Sequence, residues 1–130
     1  MKKKQMYIFI IVILLFLTTY FIYGYYVGFN CKFILTNNVA TFFNPEFPKN
    51  PDLTVRVNEK LLTQLNMPSD RLHEEVVINK RLKIGYNFVY AESDSAGIFG
   101  SNRFLIFQPR EIIIALQGSE TDKHLMLVVY

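Results

Sequence analysis

The chain contains very little cysteine. Cys31 is the only cysteine among the 130 residues, and there is no tryptophan. A single cysteine cannot form a disulfide bond within the chain, so a folded domain must depend on its hydrophobic core. We therefore predict an unpaired thiol at Cys31, with an intermolecular disulfide or a lipid attachment as the alternatives.

Most of the chain also lacks net charge, although the formal total is +3. Lys2, Lys3 and Lys4 are three of the 14 basic residues, so the 11 that remain are balanced by the 11 acidic residues. The basic character therefore belongs to the N-terminus and not to a phosphate-binding surface. The sequence predicts that nucleic acid is not a partner.

No charged residue occurs between Gln5 and Cys31, and the three lysines stand directly before this segment. Its central part, Met6 to Val27, comprises 22 mostly apolar residues. A helix of that length extends about 33 Å, enough to cross the roughly 30 Å hydrocarbon layer of a bilayer. We predict a cytoplasmic N-terminus over 1–5 and a transmembrane signal-anchor helix over 6–28, with the lipid membrane as a partner.

An uncleaved anchor has two alternatives. A cleaved secretory signal has an apolar run of about 7 to 15 residues and a small-residue cleavage site, whereas this run is longer and ends in a cluster of tyrosines. A buried helix of a soluble protein would need a larger partner to cover its apolar surface. Because the lysines precede the helix, the N-terminus is predicted to be cytoplasmic and the C-terminal domain periplasmic or extracellular.

Gly24 and Gly28 have the Gly-x-x-x-Gly spacing that allows two membrane helices to approach closely. They predict a homodimer through the membrane helix. The alternative is that the glycines loosen the chain where it leaves the helix.

Beyond the helix, residues 29–51 are predicted to form an extended, proline-containing connector, because prolines 45, 48 and 51 exclude regular structure. Residues 52–130 are predicted to be an extracytoplasmic β domain. Apolar residues alternate with polar ones over Leu53–Val57 and Leu82–Tyr90, and turn residues recur every 8 to 12 positions. The fold class is mainly β, with a small antiparallel β-sandwich after the transmembrane helix.

The segment Leu82-Lys83-Ile84-Gly85-Tyr86-Asn87-Phe88-Val89 resembles a strand entry found in small transthyretin-like and immunoglobulin-like envelope domains. Val55-Arg56-Val57-Asn58 is similar to their early strand and turn. The resemblance implies an immunoglobulin-like or transthyretin-like sandwich, and it carries no functional residue across.

No set of residues with catalytic or metal-ligand spacing is evident. His73 and His124 each lack a local partner, so we predict no metal site, no cofactor and no enzymatic activity. Ile98 and Phe99 are apolar residues at the predicted tip of a polar hairpin loop, which indicates a contact with a partner. The basic cluster Lys80–Lys83 is interpreted as a solvated turn, with an acidic partner or a lipid headgroup as the alternative.

We therefore predict a single-pass cell-membrane protein whose β domain is a non-enzymatic binding or structural module of the cell envelope, with another envelope protein as its partner. One alternative is a secreted β-sandwich released by signal cleavage. The other is a small envelope hydrolase that uses acids such as Glu92 and Asp94, and it requires their carboxylates to converge in a pocket.

Overall fold

The computed structural model describes residues 2–39, 46–68, 74–118 and 122–130. One helix and eight strands follow in the order α1 (Lys2–Tyr26), β1 (Phe29–Val39), β2 (Asp52–Val57), β3 (Lys60–Asn66), β4 (Glu75–Leu82), β5 (Gly85–Ser93), β6 (Ile98–Ile106), β7 (Glu111–Gly118) and β8 (Lys123–Val129). The mainly β prediction is confirmed, with an apolar helix at the N-terminus.

Helix α1 is apolar on every side. Its residues from Met6 to Leu17 are all largely exposed, because no part of the β domain covers them. It is the one helix among the described residues that is long and apolar enough to cross a membrane. The helix ends where Gly28 adopts a φ of +79°, which directs the chain into β1.

The strands form two four-stranded sheets. Sheet A has the order β4-β1-β7-β8, and sheet B has the order β3-β2-β5-β6. Every pairing is antiparallel except that of β1 with β7, which is parallel. The hairpin between β2 and β3 closes through Asn58 and Glu59, both at positive φ, as a tight two-residue turn requires.

The structure does not agree with the prediction of an extended connector over 29–51. Phe29–Val39 is strand β1, an inner strand of sheet A that pairs with β4 on one side and β7 on the other. Its inward side chains Phe33 and Leu35 are fully buried. Farther along, Phe47 is 2% exposed and belongs to the core. The β domain therefore begins at Phe29 and not at Asp52. The prolines that led to the connector prediction all follow β1, which ends at Val39.

The core lies between the sheets. Residues of β1 and β7 pack from sheet A against residues of β2 and β5 from sheet B, and the largest fully buried ones include Phe33, Ile112, Ile114, Leu53 and Val55. On one side of the sandwich the edge strands β6 and β8 meet closely, since a Cβ added at Gly100 would lie 3.2 Å from the Leu125 Cβ. On the other side the edge strands β3 and β4 leave a groove.

The alternating segment Leu82–Tyr90, predicted as one continuous strand, is divided between two strands. Strand β4 ends at Leu82 and β5 begins at Gly85, whose φ is +112°. The turn between them crosses from sheet A to sheet B and also reaches the end of α1. We call this the helix end of the sandwich, and the opposite end, with Asp52 and the turn over 94–97, the far end.

Candidate functional site

The first candidate site is the junction between α1 and the sandwich. Gly24 is buried, and its carbonyl accepts a hydrogen bond of 2.9 Å from the Ile84 amide. The Tyr20 hydroxyl donates to the Phe107 carbonyl. The Tyr20 ring also packs at 5.4 Å from the ring of Phe29. The helix is thus joined to sheets A and B by specific contacts and not by a free linker.

Two cations extend this junction. The Arg81 guanidinium donates to the Gly28 carbonyl at 3.3 Å and to the Tyr23 hydroxyl at 3.4 Å. The Lys83 ammonium lies 5.7 Å from the centre of the Tyr25 ring, a cation–π contact. Both tyrosines belong to the last two turns of α1, so the basic cluster lies directly beside the end of the helix.

The structure gives both glycines of the predicted dimer motif an intramolecular role. A Cβ added at Gly24 would lie 2.9 Å from the Ile84 Cβ, and one at Gly28 would lie 2.7 Å from the Leu82 carbonyl oxygen. A second helix could reach Gly24 only by displacing Ile84. These contacts favour the alternative in which the glycines shape the exit from the helix.

The second candidate site is the outer surface of sheet B, which is rich in aromatic residues. Tyr86 and Phe99 are each 73% exposed, and Phe88 is 41% exposed. We call Tyr86, Phe88, Tyr90 and Phe99 the aromatic face. It extends about 20 Å along β5 from the helix end to the far end, at roughly 3.3 Å per residue.

The alternation over Leu82–Tyr90 predicts a strand, and in the structure the aromatic side chains of that strand face the solvent. The buried residues of β5 are those between the aromatics: Asn87 is 4% exposed, while Val89 and Ala91 are fully buried. Period-two alternation identifies a strand but does not decide which face enters the core when both faces carry apolar residues. The exposed aromatic face was therefore missed.

Ile98 and Phe99 do not stand at a loop tip. They begin β6 and pair with Ser93 and Glu92 of β5, while the turn itself is formed by 94–97. Ile98 packs against the core. Phe99 points outward and stacks on Tyr90, with 6.3 Å between the ring centres.

Polar pairs surround the aromatic face. Arg56 forms an ion pair with Glu92 at 3.9 Å, and the Tyr90 hydroxyl donates to Glu92 at 3.1 Å. This hydrogen bond raises the pKa of Tyr90 above its ordinary value. Arg103 lies 5.4 Å from the centre of the Tyr86 ring. The side chain of Glu92 is thus engaged in surface pairs with Arg56 and Tyr90.

The acids near the 94–97 turn organise the backbone. The Asp52 carboxylate accepts hydrogen bonds from the Ser95 amide at 2.8 Å and from the Asp94 amide at 3.1 Å. Burial raises the pKa of Asp52, but these bonds and one from the Ser95 side chain outweigh it, so the pKa lies below its ordinary value. Asp52 was not singled out in the sequence, because its partners lie some 40 positions away.

His73 lies outside the described residues. His124 stands beside Asp122, with 3.6 Å between Nδ1 and Oδ2 at the far end. Within the described ranges, no group of three or more histidine, cysteine, aspartate or glutamate side chains could hold a metal ion. Cys31 is buried, and this burial raises the pKa of its thiol.

Comparison of the chain with protein-family models, with curated proteins and with solved structures found no match.

Proposed function

We propose that the protein is a single-pass membrane protein whose β-sandwich is held at the extracytoplasmic surface and binds another envelope protein. The observation that carries this proposal is the junction at Gly24. An apolar helix whose residues from Met6 to Leu17 are exposed is joined there to a folded domain by hydrogen bonds and packing. A signal peptide destined for removal has no need of such contacts with the mature domain.

The far end of the aromatic face is the proposed contact with the partner. Aromatic residues and arginine are enriched in the buried centres of protein interfaces, and charged pairs are typical of their rims. Phe99, stacked on Tyr90, supplies a large exposed ring beside the Arg56–Glu92 pair. Because it lies at the far end, a partner can reach it without entering the headgroup region.

Of the two sandwich types that the sequence resembles, the strand order favours the transthyretin-like one. An immunoglobulin sandwich places its first, second, fifth and fourth strands in one sheet and the third, sixth and seventh in the other. This chain instead joins β4-β1-β7-β8 and β3-β2-β5-β6. The fold type alone assigns no partner.

A photocrosslinking experiment tests the contact. A photoreactive amino acid is placed at Ser101, which is exposed and opposite Tyr90 in the register of β5 and β6. In membranes of the source cells we expect one discrete adduct with another protein. Phe99→Ser in the same chain should weaken it about 30-fold, since loss of a central interface residue costs about 2 kcal/mol or more.

The matched control is Val77→Ser, which removes an exposed apolar side chain from β4 in sheet A. It should leave the adduct unchanged. If no discrete adduct forms, or if Phe99→Ser and Val77→Ser reduce it equally, the aromatic face is not the binding surface.

The secreted alternative is tested separately, by the mass of the mature protein. The hydrolase alternative has less support, because Glu92 is paired with Arg56 and Tyr90 on the outer surface of sheet B.

A further inference from the structure

A groove of about 380 Å³ lies between the edge strands β3 and β4 at the helix end. Apolar side chains of Val57, Leu62 and Leu82 contribute to its wall. The other notable lining residues are cations, three from the basic cluster Lys80–Lys83 and one from strand β3: Lys80, Arg81, Lys83 and Lys60. The turn over 83–85 is held in place by the buried Asn87 side chain, which donates to the Lys83 and Gly85 carbonyls.

These positive charges are not neutralised within the described part of the chain. None of its carboxylates lies within 4.0 Å of Lys60, Lys80 or Lys83. The acceptors of Arg81 are uncharged, a carbonyl and a hydroxyl. Four cations around one groove repel each other, and an anion placed among them relieves that repulsion.

Contacts with the helix fix the depth of the groove relative to a bilayer. Arg81 binds Tyr23, and Lys83 lies over the Tyr25 ring. Tyrosines at the end of a membrane helix lie at the level of the lipid headgroups. The groove therefore opens where phosphate groups are concentrated, and not above the membrane in free solution.

We propose that this groove binds the headgroup phosphate of an anionic phospholipid in the outer leaflet. Lys60, Lys80 and Lys83 contact the phosphate oxygens, and the apolar wall contacts the glycerol and the first methylene groups of the lipid. Arg81, already bonded to Tyr23 and Gly28, couples the bound lipid to the orientation of the helix. This inference rests on the proposed membrane anchoring and adds the ligand that lies beside the anchor.

Native mass spectrometry of the full-length protein in detergent measures this binding. The protein is titrated with phosphatidylglycerol or with phosphatidylcholine of the same chain length, and the lipid-bound fraction is recorded. We expect preferential binding of phosphatidylglycerol. The double substitution Lys80→Gln/Lys83→Gln should weaken it about 25-fold, at roughly fivefold for each basic residue near an anionic surface.

The matched control, Lys49→Gln/Lys123→Gln, makes the same change of charge at exposed positions toward the far end and should leave binding unchanged. Lys60→Glu, on the facing strand, provides a second test and should also abolish the preference. Thermal unfolding of each variant reports whether the domain remains folded.

Three results would overturn the proposal: no preference for phosphatidylglycerol, equal binding by Lys80→Gln/Lys83→Gln and its control, or displacement of the lipid by equimolar inorganic phosphate. The last result assigns the groove to a soluble phosphate ligand. The same spectrum gives the protein's own mass. A species without the helix contradicts the proposed anchoring, whereas an intact species without lipid preference contradicts only this inference.

Discussion

A chain that begins at Asp52 will not fold, although it contains all of the residues that the alternation pattern assigns to the β domain. The truncation removes β1, which pairs with β4 from Phe29 to Thr36 and with β7 from Lys32 to Val39. Without β1, sheet A loses the strand that joins β4 to β7, and two strand edges become exposed. Loss of the buried Phe33 side chain alone, as in Phe33→Ala, should cost about 3–5 kcal/mol, against a total stability of about 5–15 kcal/mol for a domain.

The measurement compares residues 52–130 with residues 28–130 by circular dichroism, size-exclusion chromatography and cooperative unfolding in urea. The longer chain retains all eight strands and should unfold in one transition. The shorter chain should aggregate or show no transition. Cooperative unfolding of 52–130 as a monomer would show that β1 is dispensable.

Gly28→Val will destabilise the β domain by about 3 kcal/mol, more than the same change at any glycine of an open turn. Gly28 has a φ of +79°, and an added Cβ would lie 2.7 Å from the Leu82 carbonyl oxygen. That oxygen belongs to the backbone, so it cannot move aside as the end of a flexible side chain could. The substitution therefore combines backbone strain with a clash between the α1–β1 connection and the backbone of β4.

Gly97→Val is the matched control, because Gly97 also has a positive φ, +65°, but an added Cβ would meet no atom within 4 Å. It should lower the free energy of unfolding only by the cost of a positive φ at a residue with a Cβ, about 1–2 kcal/mol. Both values come from urea unfolding of the full-length protein in detergent. Equal losses at the two glycines would mean that Gly28 is not in close contact with the Leu82 backbone of β4.

The sequence predicted the strands of the β domain better than it predicted the residue at which the domain begins. Strand β2 lies close to the predicted Leu53–Val57, because the turn residues Asn58 and Glu59 follow it directly. β1 was assigned to an extended connector, because prolines 45, 48 and 51 follow it. In the structure β1 continues to Val39, and the Asn37 side chain binds the Val39 amide and the Pro68 carbonyl. Only a partner 31 positions away could reveal this.

The candidate sites were less predictable. The groove combines Lys60 of β3 with Lys80 of β4, and strand order, not spacing along the chain, brings them together. The basic cluster of the sequence was interpreted as a solvated turn because its neighbours Tyr23 and Tyr25 lie more than 50 positions earlier. The Gly-x-x-x-Gly pattern was ambiguous for a related reason: a domain packs as closely on glycine as a second helix does.

In the proposed topology the helix remains attached and holds the sandwich outside the cytoplasmic membrane. Labelling of S101C with a membrane-impermeant maleimide in intact spheroplasts tests it most directly. Ser101 is exposed, whereas the native Cys31 is buried with a raised pKa and should not react.

We predict labelling without lysis, on a species whose mass is that of the full 15.2 kDa chain plus one label. Labelling that requires lysis would place the domain in the cytoplasm. A labelled species that lacks the helix would show that the protein is secreted. Either result would contradict the proposed membrane anchoring and orientation.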